Sequence, residues 1–219
     1  IFLMGAYHLL LFSLRKKDRS HLYFGIFCLL IAMRVLVTGE YYAVRMAPRV
    51  PWEGILKMEY LSFYIGVPAF FLFVHTLFPE EFPRKVVAGI AAGGILFSLA
   101  VIAGPPGYYT HTMVPYQVLS AFTCLYGLAA LAKAVARGRE GAVPFTGGFI
   151  VMFAAVLNDF LHNNMIVRTG YLVPCGLLFF IILQAFLLSR RFSRTLGAVE
   201  NLTVELERKN RRLEAMDAM

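Results

Sequence analysis

The strongest constraint in this sequence is a succession of long apolar runs, each bounded by a short segment rich in charged residues, Gly or Pro. Several runs reach the roughly 20 apolar residues that an α-helix needs to cross a bilayer. Hydrophobic residues make up 59% of the 219 residues and charged residues only 16%, with a mean hydropathy of +0.67. Soluble domains are far more polar. The sequence therefore predicts an all-α membrane protein, because a helix satisfies its own backbone hydrogen bonds inside lipid.

The spacing of the runs predicts a bundle of seven transmembrane helices. The first run ends at Leu14, which is too short for a complete span, so we expect a truncated first helix and a chain that is a piece of a longer protein. Charged, Gly and Pro residues mark the ends of the other runs. The predicted spans are about 1–14, 21–38, 55–78, 85–103, 115–136, 143–167 and 172–189, and residues 190–219 are predicted to form a cytoplasmic coiled coil.

Basic residues near the ends of the spans fall mainly on one side of the predicted membrane. That side carries Arg15, Lys16, Lys17, Arg19, Arg84, Lys85, Lys133, Arg137, Arg139, Arg190, Arg191 and Arg194, and the other side carries Arg45, Arg49, Lys57 and Arg168. Because Lys and Arg accumulate in cytoplasmic loops, the N-terminus is predicted to lie outside and the C-terminus in the cytoplasm. An interfacial aromatic belt is expected on the outer side, made of Tyr41, Tyr42, Trp52, Tyr108, Tyr109, Tyr116 and Tyr171.

The end of the chain carries a heptad pattern that continues from the seventh span without a Gly-Pro break. Apolar residues alternate by three and four positions at Phe192, Val199, Leu202, Leu206, Leu213 and Met216, with Thr195 and Lys209 as polar interruptions. Such a seam is typical of a left-handed coiled coil, here a parallel homodimer. The alternative is an amphipathic helix on the membrane surface, but the seam is narrow and both charge signs flank it.

Five polar residues are predicted to lie at one level near the outer face of the bundle: Arg34, Glu59, Asn158, Asp159 and His162. A charge in the centre of a membrane helix costs about 2.5–3.5 kcal/mol on insertion scales, so these groups should pair or line a wet cavity. An ion pair of Arg34 with Glu59 or Asp159 is expected. Two interpretations stay open. The residues lock helices two, three and six together, or they form an outward-facing pocket that senses a ligand, a proton or a neighbouring domain, with His162 as a pH-switch candidate.

Other features narrow the function further. Cys28, Cys124 and Cys175 have no metal-site spacing, and no catalytic motif or cofactor site is present in the sequence, so no metal, cofactor or enzymatic role is predicted for the spans themselves. The basic residues lie beside apolar runs, which argues against nucleic acid as a partner. Gln184 is expected to contact a neighbouring helix or the dimer mate. The glycines at 89, 93 and 94 are expected to allow close helix packing.

Four stretches carry a resemblance to a known family: LYFGIFCLLIAMRVLVTGEYY, KMEYLSFYIGVPAFFLFVHTLFPEE, NDFLHNN, and LLFFIILQAFLLSRRFSRTLGAVENLTVELERKN. Together they resemble the bacterial seven-transmembrane receptors with diverse intracellular signalling modules. The resemblance implies a multi-pass receptor of the bacterial inner membrane. It also implies an extracytoplasmic sensor domain before the spans and an output domain after the coiled coil, such as a histidine kinase, a nucleotide or diguanylate cyclase, or a phosphatase.

Two functions remain open at this point. The first is a receptor core that passes an extracytoplasmic signal through the seventh helix and a dimeric coiled coil to the output domain, which would carry any enzymatic activity. The alternative is a dimeric small-solute transporter or channel whose coiled coil is structural. A flux assay in liposomes separates them, because only the second function requires substrate movement. Transporters typically have broken helices around a midplane site, whereas the strongest polar group here is predicted to lie in the outer third of the bundle.

Overall fold

A computed structural model gives the fold, and it describes residues 1–14, 16, 18–38, 49–163, 165–170 and 172–217. Seven helices of more than ten residues lie in these ranges. They are α1 (Phe2–Leu14), α2 (Arg19–Val37), α3 (Trp52–Leu77), α4 (Arg84–Ala103), α5 (Met113–Ala136), α6 (Ala142–Asn163) and α7 (Val173–Asp217). A helical turn, Pro106–Tyr109, and a 3-10 turn, Thr110–Thr112, precede α5.

Local sequence accounts for several helix ends. Asp18 caps α2, because its side chain accepts a hydrogen bond from the Ser20 main-chain nitrogen at 3.0 Å. Pro51 and Pro83 directly precede α3 and α4. A proline there fixes the extended backbone that leads into the first turn.

Five segments of the described chain are long and apolar enough to cross a membrane: Arg19–Val37, Trp52–Leu77, Arg84–Ala103, Pro106–Ala136 and Ala142–Asp159. Two further apolar helices are shorter, Phe2–Leu14 and Val173–Leu187. The expectation of an all-helical membrane protein is confirmed. Helix α6 ends at Asn163, four residues before the predicted end of its span, because the chain turns there.

The turn after α6 is a Schellman-type helix end. Met165 has a φ of 58°, in the left-handed region. The Met165 nitrogen donates to the His162 carbonyl at 3.0 Å, and the Ile166 nitrogen donates to the Leu161 carbonyl at 2.9 Å. These two bonds satisfy carbonyl groups that the last turn of the helix leaves unpaired. Such a position is usually occupied by Gly. Because Met occupies it here, the sequence pattern does not indicate that the helix ends at this point.

Consecutive helices pack against one another, and α3 lies at the centre, where it contacts α2, α4 and α5. The core around α3 is rich in phenylalanine. The Phe70 ring lies 5.3 Å from Phe27 of α2 and 5.6 Å from both Phe149 of α6 and Phe180 of α7, measured between ring centroids. We call these four residues the aromatic centre. Such ring pairs add to the stability that apolar packing provides, and here they connect α7 with three other helices.

The expected aromatic belt is only partly observed. Trp52 and Tyr108 are exposed, but Tyr109 and Tyr116 are buried, with 0% and 1% exposure, so the prediction that these two face the membrane interface is wrong. The turn at 106–112 folds over the core, and the Tyr116 hydroxyl donates to the Tyr64 carbonyl at 2.9 Å. Tyr41, Tyr42 and Tyr171 lie outside the described residues.

Helices α3 and α4 approach closely at Gly94. A Cβ atom at this position would lie 2.5 Å from the Tyr64 carbonyl oxygen and closer still to Cγ of Pro68. Real Cβ contacts are not this short, so the two backbones would have to move apart. Gly89, one and a half turns earlier on α4, has open space where its Cβ would be. The expectation of close packing through these glycines therefore holds for Gly94 and not for Gly89.

We expect Gly94→Ala to destabilise the protein by about 1–3 kcal/mol, the usual cost of overpacking. Gly89→Ala is the matched control, and it should be neutral or stabilising by up to about 1 kcal/mol, because Ala favours a helix over Gly. Thermal unfolding of both variants in nanodiscs measures the difference. Equal melting temperatures for the two variants would contradict the close approach at Gly94.

Candidate functional site

The first turn of α7 is held by a carboxylate from α6. Oδ1 of Asp159 accepts a hydrogen bond from the Leu172 nitrogen at 2.6 Å, and Oδ2 accepts one from the Val173 nitrogen at 3.1 Å. A helix N-terminus has unpaired N–H groups and a partial positive charge, so an acidic acceptor stabilises it on both counts. Asp159 therefore caps a helix that begins 14 residues later in the chain.

Asn158, next to Asp159 in the sequence, binds the loop that connects α6 to α7. The Asn158 amide nitrogen donates to the Gly170 carbonyl at 2.9 Å, and its oxygen accepts a hydrogen bond from the Thr169 hydroxyl at 2.7 Å. The Asn158 nitrogen also lies 3.2 Å from Oδ1 of Asp159. We call Asn158, Asp159 and His162, together with the residues that they bind at positions 167, 169, 170, 172 and 173, the α6–α7 clamp.

His162 contacts the connecting loop through one ring nitrogen. Its Nδ1 lies 3.2 Å from the Val167 carbonyl oxygen and 3.4 Å from the Gly170 nitrogen. One ring nitrogen cannot donate to the first and accept from the second at once, so the two bonds require different tautomers. His162 as a pH switch stays a prediction.

Arg34 lies between α2 and α3, away from the clamp. Its Nη1 donates to the Glu59 main-chain carbonyl at 3.2 Å, and the guanidinium carbon lies 4.9 Å from the centroid of the Phe63 ring. A carbonyl and an aromatic face can both satisfy a half-buried guanidinium. Within the described part of the chain, no carboxylate oxygen lies within 4.0 Å of the Arg34 guanidinium. The Glu59 carboxylate acts on Arg34 as a more distant charge, and a direct ion pair with Glu59 or Asp159 stays a prediction.

The five predicted site residues therefore form two groups. Arg34 and Glu59 meet at the α2–α3 contact, and Asn158, Asp159 and His162 meet at the clamp. No hydrogen bond or ion pair joins the groups in the described ranges. A single pocket that contains all five stays a prediction.

The opposite end of the bundle is joined by ion pairs that the sequence reading missed. Glu81, in the α3–α4 loop, has a side chain only 2% exposed, and its Oε1 lies 3.2 Å from both Nη1 of Arg137 and Nε of Arg139. Arg139 also pairs with Glu80, and Arg194 of α7 pairs with Glu140. The sequence does contain a signal for these ion pairs, because Glu80, Glu81 and Glu140 lie among the basic residues on one predicted side of the membrane.

The charge of Glu81 is favoured by these partners. Burial alone would raise the pKa of the Glu81 carboxyl, but the hydrogen bonds from Arg137 and Arg139 outweigh it and hold the pKa below its ordinary value of 4.5. The carboxylate is therefore ionised at neutral pH, and it links the α3–α4 loop to the α5–α6 loop.

Helix α7 continues from the clamp for 45 residues, a length of about 68 Å. Its apolar part ends at Leu187, and the helix then passes the basic residues without interruption. Three seam residues, Val199, Leu202 and Leu206, are 51–61% exposed in the single chain. The side chains of Phe192, Leu213 and Met216 lie outside the described ones. These three residues form an exposed apolar stripe on α7.

Histidines and cysteines form no metal site in the described residues, where no group of three or more His, Cys, Asp or Glu could hold an ion. The buried His8 instead meets His21 of α2, with 2.9 Å between their Nδ1 atoms. This bond joins α1 to α2 and serves packing.

A protein-family model matches most of the chain. Residues 1–191 fit the family described as 7TM diverse intracellular signalling. Neither the curated proteins nor the solved structures contain a match to the chain.

We expect Asp159→Ala to cost about 0.5–2 kcal/mol, the usual penalty for the loss of an N-cap acceptor. The loss should be local, because the freed N–H groups belong to the first turn of α7. Hydrogen–deuterium exchange of residues 172–176 should therefore become faster, while the exchange of α3 should stay unchanged.

Glu53→Ala is the matched control for this experiment. Glu53 lies in the first turn of α3 and pairs with Lys57 at 2.9 Å on an exposed surface, so its loss should cost only about 0.2–0.5 kcal/mol. Unchanged exchange of residues 172–176 in Asp159→Ala would mean that the carboxylate does not hold α7.

Proposed function

We propose, since the chain belongs to the 7TM diverse intracellular signalling family, that it is a receptor core that carries an extracytoplasmic signal to a cytoplasmic output domain. The observation that carries the proposal is the continuity of α7. One helix begins at the α6–α7 clamp, crosses the apolar region and extends beyond the basic residues as far as Asp217. A continuous α-helix is stiff along its axis. A rotation, a translation or a change of register at one end therefore also moves the other end.

The proposed architecture has seven spans, with the start of the chain outside and α7 leading into the cytoplasm of a bacterium. The five long apolar helices support it, and the shorter helices at 2–14 and 173–187 supply the remaining two spans. The end of the bundle from which α7 leaves carries Arg84, Arg137, Arg139, Arg190 and Arg194, which is the charge bias of a cytoplasmic face. The inner membrane is the location that fits a protein of this kind.

A parallel homodimer is proposed for the segment of α7 beyond the membrane. The exposed residues Val199, Leu202 and Leu206 follow the heptad spacing, and a second copy of the same stripe would bury them. Lys209 bonds to Glu205 on its own helix at 3.0 Å and does not add apolar surface to the seam.

The bundle contains a route by which a signal can reach α7. Phe180 of α7 lies 5.6 Å from Phe70 of α3 and 5.7 Å from Phe145 of α6. Gly176 lies so close to α6 that a Cβ there would be 2.7 Å from the Cβ of Ala155. A shift of α3 or α6 therefore has to move α7 or repack the core. A ligand or sensor domain that prefers one of two packings by a few kcal/mol is enough to change their populations.

The output of the proposed receptor is a kinase, a nucleotide or diguanylate cyclase, or a phosphatase attached beyond α7. Its activity would depend on how the two copies of α7 present their output domains to each other. The membrane part itself is proposed to be a transmitter and not an enzyme.

Disulfide cross-linking tests the dimer on which this function depends. In a variant with Cys28, Cys124 and Cys175 replaced by Ala, single cysteines at Val199, Leu202 or Leu206 should cross-link between chains in native membranes. Cysteines at Glu200 or Arg208 are the matched controls, and they should react at least several-fold less, because they face away from the seam. Equal yields at all five positions would reject the parallel coiled coil.

A further inference from the structure

A cavity lies at the end of the bundle from which α7 leaves the membrane region. It has a volume of about 200 Å³ and opens between the end of α3, the start of α6 and the inner part of α7. Its floor is apolar and is formed by Phe73, Phe78, Phe145 and Leu187. An apolar cavity of about 150 Å³ is known to hold a benzene molecule. The floor can therefore take a short hydrocarbon segment.

The wall of the cavity carries a buried amide without a partner. Gln184 is 1% exposed, and its Nε2 has no hydrogen-bond partner among the described residues. Buried polar groups in proteins are nearly always hydrogen-bonded. Because Nε2 is enclosed, a ligand acceptor such as an ester carbonyl would reach it through a rotation of the Gln184 side chain toward the cavity.

The mouth of the cavity is positively charged. Arg190 and Arg194 line it together with Glu140, and Glu140 already pairs with Arg194. Arg190 lies 5.8 Å from the centroid of the Phe186 ring, an exposed contact that leaves its N–H groups available to a further acceptor. One positive charge is thus in excess at the mouth. A guanidinium favours phosphate, because its N–H groups match two phosphate oxygens.

The basic mouth, the Gln184 amide and the apolar floor follow one another in the same order as the phosphate, the ester and the acyl chain of a phospholipid. Arg190 follows the apolar part of α7 by three residues, so it lies where the hydrocarbon region ends. Gln184 lies six residues earlier on the same helix, about 9 Å deeper along its axis. A phosphate at Arg190, an ester carbonyl at Gln184 and an acyl segment on the phenylalanine floor would fill the cavity in one pose.

We propose that this cavity is a binding site for an anionic phospholipid, with the phosphate-bearing headgroup at Arg190 and Arg194 and the upper acyl chain between α3, α6 and α7. Basic pockets between membrane helices on the cytoplasmic side are typical sites for such headgroups. The bound lipid would join α7 to α3 and α6 at the base of the helix. The proposal concerns one chain and does not depend on the dimer.

A melting-temperature comparison in nanodiscs tests the site. The chain is placed in phosphatidylcholine alone or in an equal mixture of phosphatidylcholine and phosphatidylglycerol, and unfolding is followed by heating. We expect the anionic lipid to raise the melting temperature of the wild type. Arg190→Gln should lose at least half of this rise. Gln184→Leu should also lose it while keeping its stability in phosphatidylcholine, because Leu fills the space without leaving a donor unpaired.

Arg84→Gln is the matched control, because Arg84 is an exposed cation at the same end of the bundle and outside the cavity. It should keep the full rise. An equal loss in Arg84→Gln would show that general surface charge is responsible, and a full rise in both cavity variants would show that lipid acts elsewhere. Either result would overturn the proposal. Glycerol phosphate added to phosphatidylcholine nanodiscs should give no rise, and a rise equal to that with phosphatidylglycerol would assign the site to a free anion instead.

Discussion

The hydrogen bonds from the start of α7 to Asp159 are the constraint that fixes where the longest described helix begins. The first N–H groups of a helix have no partner within the helix, so acceptors from elsewhere stabilise the first turn. Asp159 supplies both a charge and two acceptor atoms from α6. Because Asn158 and His162 bind the same loop, the beginning of the longest helix is fixed to α6 and not to solvent.

From this fixed point, α7 is attached to the bundle in two further places. Phe180 packs in the aromatic centre, and Arg194 meets Glu140 where the helix leaves the apolar region. The Glu81 carboxylate holds the neighbouring loops together through Arg137 and Arg139. The apolar part of α7 is therefore held at its start and in its middle, and the helix is held again at Arg194. The segment beyond Arg194 carries the exposed apolar stripe. This arrangement suits a part that transmits a displacement to a partner outside the membrane.

The sequence predicts a structural feature well where one interaction determines it, and poorly where several interactions compete. Apolar runs of span length predict the helices well, because burial in lipid outweighs every local preference. The spacing of Asn158, Asp159 and His162 places them on neighbouring turns, but their partners are main-chain atoms of a loop whose shape depends on Met165 in a left-handed conformation. Burial of Tyr109 follows from the turn at 106–112, which no periodicity indicates. The hydrogen-bond partner of Arg34 is likewise a main-chain carbonyl. Every residue has such a group, so the sequence does not indicate which one Arg34 contacts.

The most direct test of transmission along α7 is a distance measurement between the two copies of the helix in the proposed homodimer. Spin labels at Asn201→Cys, in a background without the three native cysteines, report the spacing of the helices by pulsed electron resonance in nanodiscs. If α7 is a rigid transmitter held by the clamp, Asp159→Ala should shift or broaden the distance distribution at position 201, although the two sites are 42 residues apart in sequence. An unchanged distribution, in a variant whose first α7 turn exchanges faster, would show that the clamp and the proposed coiled coil are not coupled.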